Sequence, residues 1–184
     1  METKGAKYDG NSKIDTAPIS KKDWQDVLEY GSQEQVAKRA NFTPLRTKRD
    51  AFSFERVLFR DGVLALEEKS SAKVIGNIGA FEIIKADGLV EKNGREVGYA
   101  LNQDFWGQGF MTEALAALCK LERSKKTSFL QARVYADNLA SQKVLQKNGF
   151  KFQGDREVFD VFQSNKKILE LFYVKMLVQK EERF

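Results

Sequence analysis

Between Gly94 and Glu122 the chain changes its hydrophobic period within a few residues, and that change limits what it can fold into. Val97, Tyr99 and Leu101 alternate with smaller or polar neighbours at the two-residue period of a strand. From Met111 onward the apolar residues Met111, Leu115, Leu118 and Leu121 fall near a 3.6-residue period, which gives one buried helical stripe. Trp106-Gly107-Gln108-Gly109 separates the two. A strand that feeds a glycine-rich turn and then opens a helix gathers several unpaired backbone N–H groups at one point, where the helix dipole also favours negative charge. The stretch therefore predicts a phosphate-binding turn.

The neighbouring residues restrict which phosphate it can hold. A P-loop closes its turn with Gly-Lys-Ser/Thr to reach terminal phosphates and Mg²⁺, but this turn continues as Gly109-Phe110-Met111. A dinucleotide fingerprint requires a third glycine, and that position is Thr112, with no βαβ unit and distal acid to support it.

WGQGFMTEA resembles the pyrophosphate loop of the GNAT N-acetyltransferase superfamily, in the branch typified by the RimJ/RimL N-terminal acetyltransferases. EVGYALNQDFWGQGFMTEA and YADNLASQKVLQKNGF are each similar to family segments and occur in the expected order. The resemblance is most specific from about Lys73 to Phe152; before residue 60 it lies only in the pattern of elements. It implies acetyl-coenzyme A as cosubstrate, an amine acceptor that is a protein α-amino group or a small molecule, and direct transfer in a ternary complex. A non-catalytic acyl-coenzyme A sensor of the same fold is the alternative, followed by an interaction or nucleotide-binding domain.

The resemblance also implies site residues. Trp106, Gly107, Gln108, Gly109, Phe110, Met111 and Thr112 form the cofactor loop, and Asn138 bonds the pantetheine arm. Ala100 and Leu101 mark the place where the central strand splays and a backbone N–H holds the oxyanion. Trp106 stands where many members carry Arg or Gln, and Met111 where Gly or Ala is usual. Many members have a tyrosine that protonates the departing thiolate, but the matching position here is Leu145, so Ser141 is the candidate acid. Asn138 also suits a plain helix N-cap, Thr112 a cap or a phosphate donor, and Glu113 a first-turn carboxylate stabilised by the dipole.

An alkylammonium must lose a proton before it attacks, and here composition matters: the chain has no histidine and one cysteine. Serine–histidine or cysteine–histidine machinery, an internal disulfide and a zinc site of the usual ligand set are excluded, and no metal is expected. Carboxylates remain as the base, Glu96 on the central strand first and Glu82 second, with water as the other possibility. Cys119 falls near the apolar side of the amphipathic helix and reads as a core thiol.

The net charge of +5 is spread along the chain without a basic stripe, which argues against nucleic acid. No apolar leader or membrane-length run is visible, so a cytoplasmic protein without a membrane partner is expected, as monomer or homodimer.

The 184 residues suit one domain over 13–184, with a poorly ordered stretch at 1–12. Strands are expected at 14–19, 63–66, 73–81, 95–102, 128–135, 150–162 and 168–178, with a polar hairpin connection at 85–95 and a hairpin loop at 163–166. Helices are expected at 21–30, 32–40 and 47–60, from Met111, and from 137 to 148. Ser20 and Asp23 form a capping box, and Gly149 is a left-handed C-cap. This order predicts a mixed α/β GNAT fold, a single mostly antiparallel sheet with helices on both faces.

Overall fold

Alternation along the strands sends neighbouring side chains to opposite faces of a sheet, and each face buries its own set of helices. A computed structural model describes residues 12–58, 62–160 and 163–178. Its strands are β1 (Ile14–Ala17), β2 (Val63–Glu68), β3 (Lys73–Phe81), β4 (Gly94–Leu101), β5 (Phe129–Tyr135), β6 (Lys151–Asp160) and β7 (Gln163–Met176). They form one seven-stranded sheet in the order β1-β2-β3-β4-β5-β7-β6. Every neighbouring pair is antiparallel except β4 and β5.

The helices among the described residues are α1 (Trp24–Ser32), α2 (Glu34–Ala40), α3 (Lys48–Leu58), α4 (Phe110–Ser124) and α5 (Leu139–Lys147). Val63 and Ala65 of β2 join one core with Val27 and Tyr30 of α1, Val36 of α2 and Ala51 of α3. The intervening Leu64 and Leu66 join the other core with Leu115 and Leu118 of α4 and Leu145 of α5. The mixed, mostly antiparallel sheet with helices on both faces is therefore observed.

Local signals explain most element ends. Pro18, which cannot donate to a ladder, follows the last residue of β1. Ser20 and Asp23 make the expected capping box: Asp23 Oδ2 accepts from the Ser20 N–H at 2.7 Å, and Ser20 Oγ accepts from the Lys22 N–H at 3.2 Å. Gly149, at φ 77°, closes α5. Its N–H bonds the Gln146 carbonyl at 2.9 Å and the Phe150 N–H bonds the Leu145 carbonyl at 3.1 Å, while Leu145 and Phe150 share a core.

Several boundaries differ from expectation. Residues 21–23 form a 3-10 turn, so the first α-helix begins at Trp24, and the second begins at Glu34 because Gln33 is extended at ψ 115°. The third is observed over Lys48–Leu58, and the expected continuation to 60 lies outside the described residues. The polar run 163–166 is strand: β7 begins at Gln163, which pairs with Asp160. Composition misled here because this stretch pairs with β6, an edge strand exposed along most of its length, where polar residues are as compatible with a strand as with a loop. The expectation for 1–12 lies outside the described residues except for Ser12, which is buried.

Candidate active site

The turn between β4 and α4 adopts the backbone its glycines allow. Gly107 and Gly109 have φ of 75° and 89°, in the left-handed region that costs other residues energy. Gly109 is the N-cap of α4 and has no side chain to satisfy the helix, whose first backbone bond runs from the Glu113 N–H to the Gly109 carbonyl at 3.1 Å. The amides of Phe110, Met111 and Thr112 precede that bond and are left to an outside acceptor. A Cβ built on Gly107 or Gly109 meets no atom within 4 Å. The open space in front of them is a cavity of about 440 Å³.

Strand, turn and three helices enclose this cavity. Ala100, Leu101, Trp106, Gly107, Gly109, Phe110, Met111, Thr112 and Asn138, all expected at the cofactor, line it. Gln108 does not: its Nε2 donates to the Asp104 carbonyl at 3.0 Å and its own carbonyl accepts from Lys13 Nζ at 3.2 Å. Asn138 is buried and caps α5, its Oδ1 accepting from the Ser141 N–H at 3.2 Å. Trp106 is pinned by its indole N–H on the Leu101 carbonyl at 2.8 Å, and the Arg39 guanidinium of α2 lies 4.7 Å from its ring centre.

The placement of α2 over the cavity has a polar cause. Gln33 Nε2 donates to Asn102 Oδ1 at 2.9 Å, its Oε1 accepts from the Gln103 N–H at 2.9 Å, and Asn102 Nδ2 donates to Glu29 Oε1 at 2.9 Å. These bonds tie the α1–α2 junction to the end of β4. Arg39, Lys143 and Lys147 line the cavity and among the described residues no acidic side chain does, so its field suits a polyanion. The two lysines were not expected as site residues, although their i, i+4 spacing puts them on one side of α5.

Beyond the turn the sheet forks. β4 and β5 are paired only from Gly94↔Phe129 to Glu96↔Gln131, while β4 continues along β3 to the Gly76↔Leu101 pair. The Asn102 N–H bonds the Ile75 carbonyl at 2.8 Å, so ladder alternation turns the backbone groups of Tyr99 and Leu101 away from β3 into the fork, and those of Ala100 toward β3. A second cavity of about 370 Å³ fills the fork. It shares Arg39, Ala40, Tyr99, Asn138 and Ser141 with the first.

Glu96 stands at the crotch of the fork, outside the first cavity. Its carboxylate accepts from Arg133 Nη2 at 2.6 and 2.7 Å, from Arg133 Nε at 3.1 Å and from Gln131 Nε2 at 2.7 Å. It also borders a third cavity of about 620 Å³ that holds Glu82, Asp155, Arg156 and Glu170. Ser141 lies at the junction of the first two cavities, and Leu145 borders the second with no polar group to offer. Tyr99, read from sequence only as a strand residue, is at that junction too; its hydroxyl reaches toward the Ser141 carbonyl at 3.5 Å, and burial pushes its phenol up to about 12. Cys119 lines none of these cavities, and burial pushes its thiol up as well.

The family model described as an acetyltransferase (GNAT) domain matches residues 16–151. The chain belongs to the GNAT acetyltransferase family, and it is an acyltransferase. A relative, the uncharacterized N-acetyltransferase p20 of Bacillus licheniformis, is 29% identical over 161 residues, covering 83% of this chain and 86% of p20. A GNAT-family acetyltransferase from Bacillus anthracis superposes with a TM-score of 0.78 at 20% identity, over 95% of this chain and 99% of that one. The microcin C7 self-immunity acetyltransferase MccE, solved with acetyl-coenzyme A and AMP, gives 0.74 at 18% identity, over 90% and 93%. Among the described residues no helix is long and apolar enough to cross a membrane.

Proposed function

We propose that this GNAT protein transfers acetyl from acetyl-coenzyme A directly to a primary amine, a protein α-amino group or a small molecule, in a ternary complex. The observation that carries the reading is the meeting of two cavities at the fork of β4 and β5. One has helix-end amides and basic side chains suited to a pyrophosphate, and the other opens from its inner end toward carboxylates suited to an ammonium. The family and the acetyl-coenzyme A bound to MccE support the donor.

In this scheme the Phe110–Thr112 amides hold the pyrophosphate, Lys143 and Lys147 add charge, and Asn138 meets the pantetheine arm. The thioester carbonyl then lies in the fork, where the Leu101 or Tyr99 N–H takes up charge on the tetrahedral oxygen. The amine enters from the side of Glu96. Its proton passes to water, to Glu82, or to the lone-pair capacity that Arg133 and Gln131 leave on Glu96. A hydroxyl at the junction, where Ser141 stands, serves the departing thiolate.

Thiol release from acetyl-coenzyme A, measured across peptides, polyamines and aminoglycosides with mass analysis of the products, tests the proposal. Release that depends on an amine, with an N-acetyl product, is expected. Tight acetyl-coenzyme A binding without turnover of any amine would instead describe a sensor.

A further inference from the structure

Two hydroxyl-bearing side chains reach the junction of the cofactor cavity and the fork, Ser141 from α5 and Tyr99 from β4. They differ in reach and in occupation. Tyr99 belongs to the stretch of β4 that has left β5, and its side chain packs among residues of the α4–α5 face, so the phenol extends from the fork toward the first turn of α5. Among the described residues its hydroxyl is held there only by the Ser141 carbonyl, at the outer limit of a hydrogen bond. On the acetyl-transfer reading the thioester sulfur comes to this junction, between the glycine turn and the cavity in the fork. At Leu145, one turn beyond Ser141, the helix offers no proton.

We infer that Tyr99, through its weakly held hydroxyl at the junction of the two cavities, is a catalytic residue that protonates the departing coenzyme A thiolate. This rests on the acetyl-transfer reading above. As the amine nitrogen bonds the carbonyl carbon and the C–S bond breaks, the phenolic proton goes to sulfur. The proton lost by the amine leaves through base or water, and the phenolate regains one from solvent, so the net products are the amide and the free thiol. The charged groups around the junction are Arg39 of α2, Glu96 of β4, Arg133 of β5, Glu170 of β7 and Lys143 and Lys147 of α5.

The test uses the full chain and the best acceptor from the amine panel. Tyr99→Phe should keep its melting temperature and its calorimetric affinity for acetyl-coenzyme A while kcat falls on the order of 10- to 100-fold, the lower range for a general acid because a thiolate is already a fair leaving group. Ser141→Ala should lose less. A fluorinated tyrosine placed at 99, with a more acidic phenol, should bring into the working range an alkaline fall in kcat that the wild type lacks. A wild-type kcat in Tyr99→Phe, or a fluorinated protein whose pH profile overlays the wild type, would overturn the assignment while wild-type turnover leaves the transferase reading standing. If Tyr99→Phe folds poorly, the fluorinated protein decides alone, and a wild type that acetylates no amine removes both proposals.

Discussion

Gly109 allows strain and ligand contact to be separated. It holds φ 89° at the N-cap of α4 and faces the cofactor cavity, with nothing within 4 Å of a built Cβ. Gly88 has nearly the same backbone, φ 80° with equally open surroundings, but lies on the remote 85–89 turn. Forcing an L-residue into this region costs about 1–2 kcal/mol, and a chain of this size loses roughly 2–4 °C of melting temperature per kcal/mol. Glutamate at either position should thus lower the melting temperature by about 2–8 °C. Only at 109 does the carboxylate meet a bound pyrophosphate. One pair of like unit charges about 4 Å apart, at an effective dielectric near 20, repels by roughly 4 kcal/mol, or about a thousandfold in Kd. Gly109→Ala, which intrudes without charge, should weaken acetyl-coenzyme A at least about tenfold. Calorimetry and thermal melts on the three variants check both quantities. A folded Gly109→Glu protein that binds acetyl-coenzyme A as Gly88→Glu does would refute the placement of the pyrophosphate.

Trp106→Phe deletes the indole bond to Leu101 and weakens the platform under Arg39, so KM for acetyl-coenzyme A should rise several-fold with a stability loss of about 0.5–1.5 kcal/mol; an unchanged KM would confine Trp106 to packing. Cys119→Ala should retain kcat, and initial-rate plots at several acceptor concentrations should intersect, since this thiol is buried, raised in pKa by that burial and away from the cavities. Parallel lines would point to an acyl-enzyme. Glu96→Gln should lower kcat/KM most at neutral pH and recover as rising pH deprotonates the amine, if its carboxylate takes the proton. Equal loss at every pH would leave it the positioning role that its bonds to Arg133 suggest.

The strand, glycine turn and helix were legible because their determinants are local: a two-residue period, paired glycines and a 3.6-residue period follow one another within Gly94–Glu122. The Ser20 box and the Gly149 cap were legible for the same reason. The fork was not. It arises because β4 stays with β3 while β5 turns to β7, a choice among partners distant in sequence. Glu96 was expected on the central strand beside the cofactor; it lies on that strand but outside the first cavity, and its engagement with Arg133 depends on that same pairing and leaves no trace in spacing. Tyr99 was passed over because alternation reports which face a strand residue takes, and cannot report that the neighbouring strand has departed. The 163–166 run failed because polar composition alone does not separate a strand paired at the sheet edge from a loop.

The first turn of α4 is also held from the edge of the sheet. Glu113 accepts from the Ser12 hydroxyl and from the Lys13 N–H at 2.9 Å, Lys13 Nζ reaches the Gln108 carbonyl, and Ser12 and Lys13 lead directly into β1 at the sheet edge. The two ends of this clasp are about a hundred residues apart in the chain. Coupling of this kind is reciprocal: whatever orders the turn must also order the edge strand, and by the same free energy. Occupancy of the cofactor cavity should therefore be readable from amide hydrogen exchange in β1, an edge strand that would otherwise fray first, at a distance from any atom of the ligand.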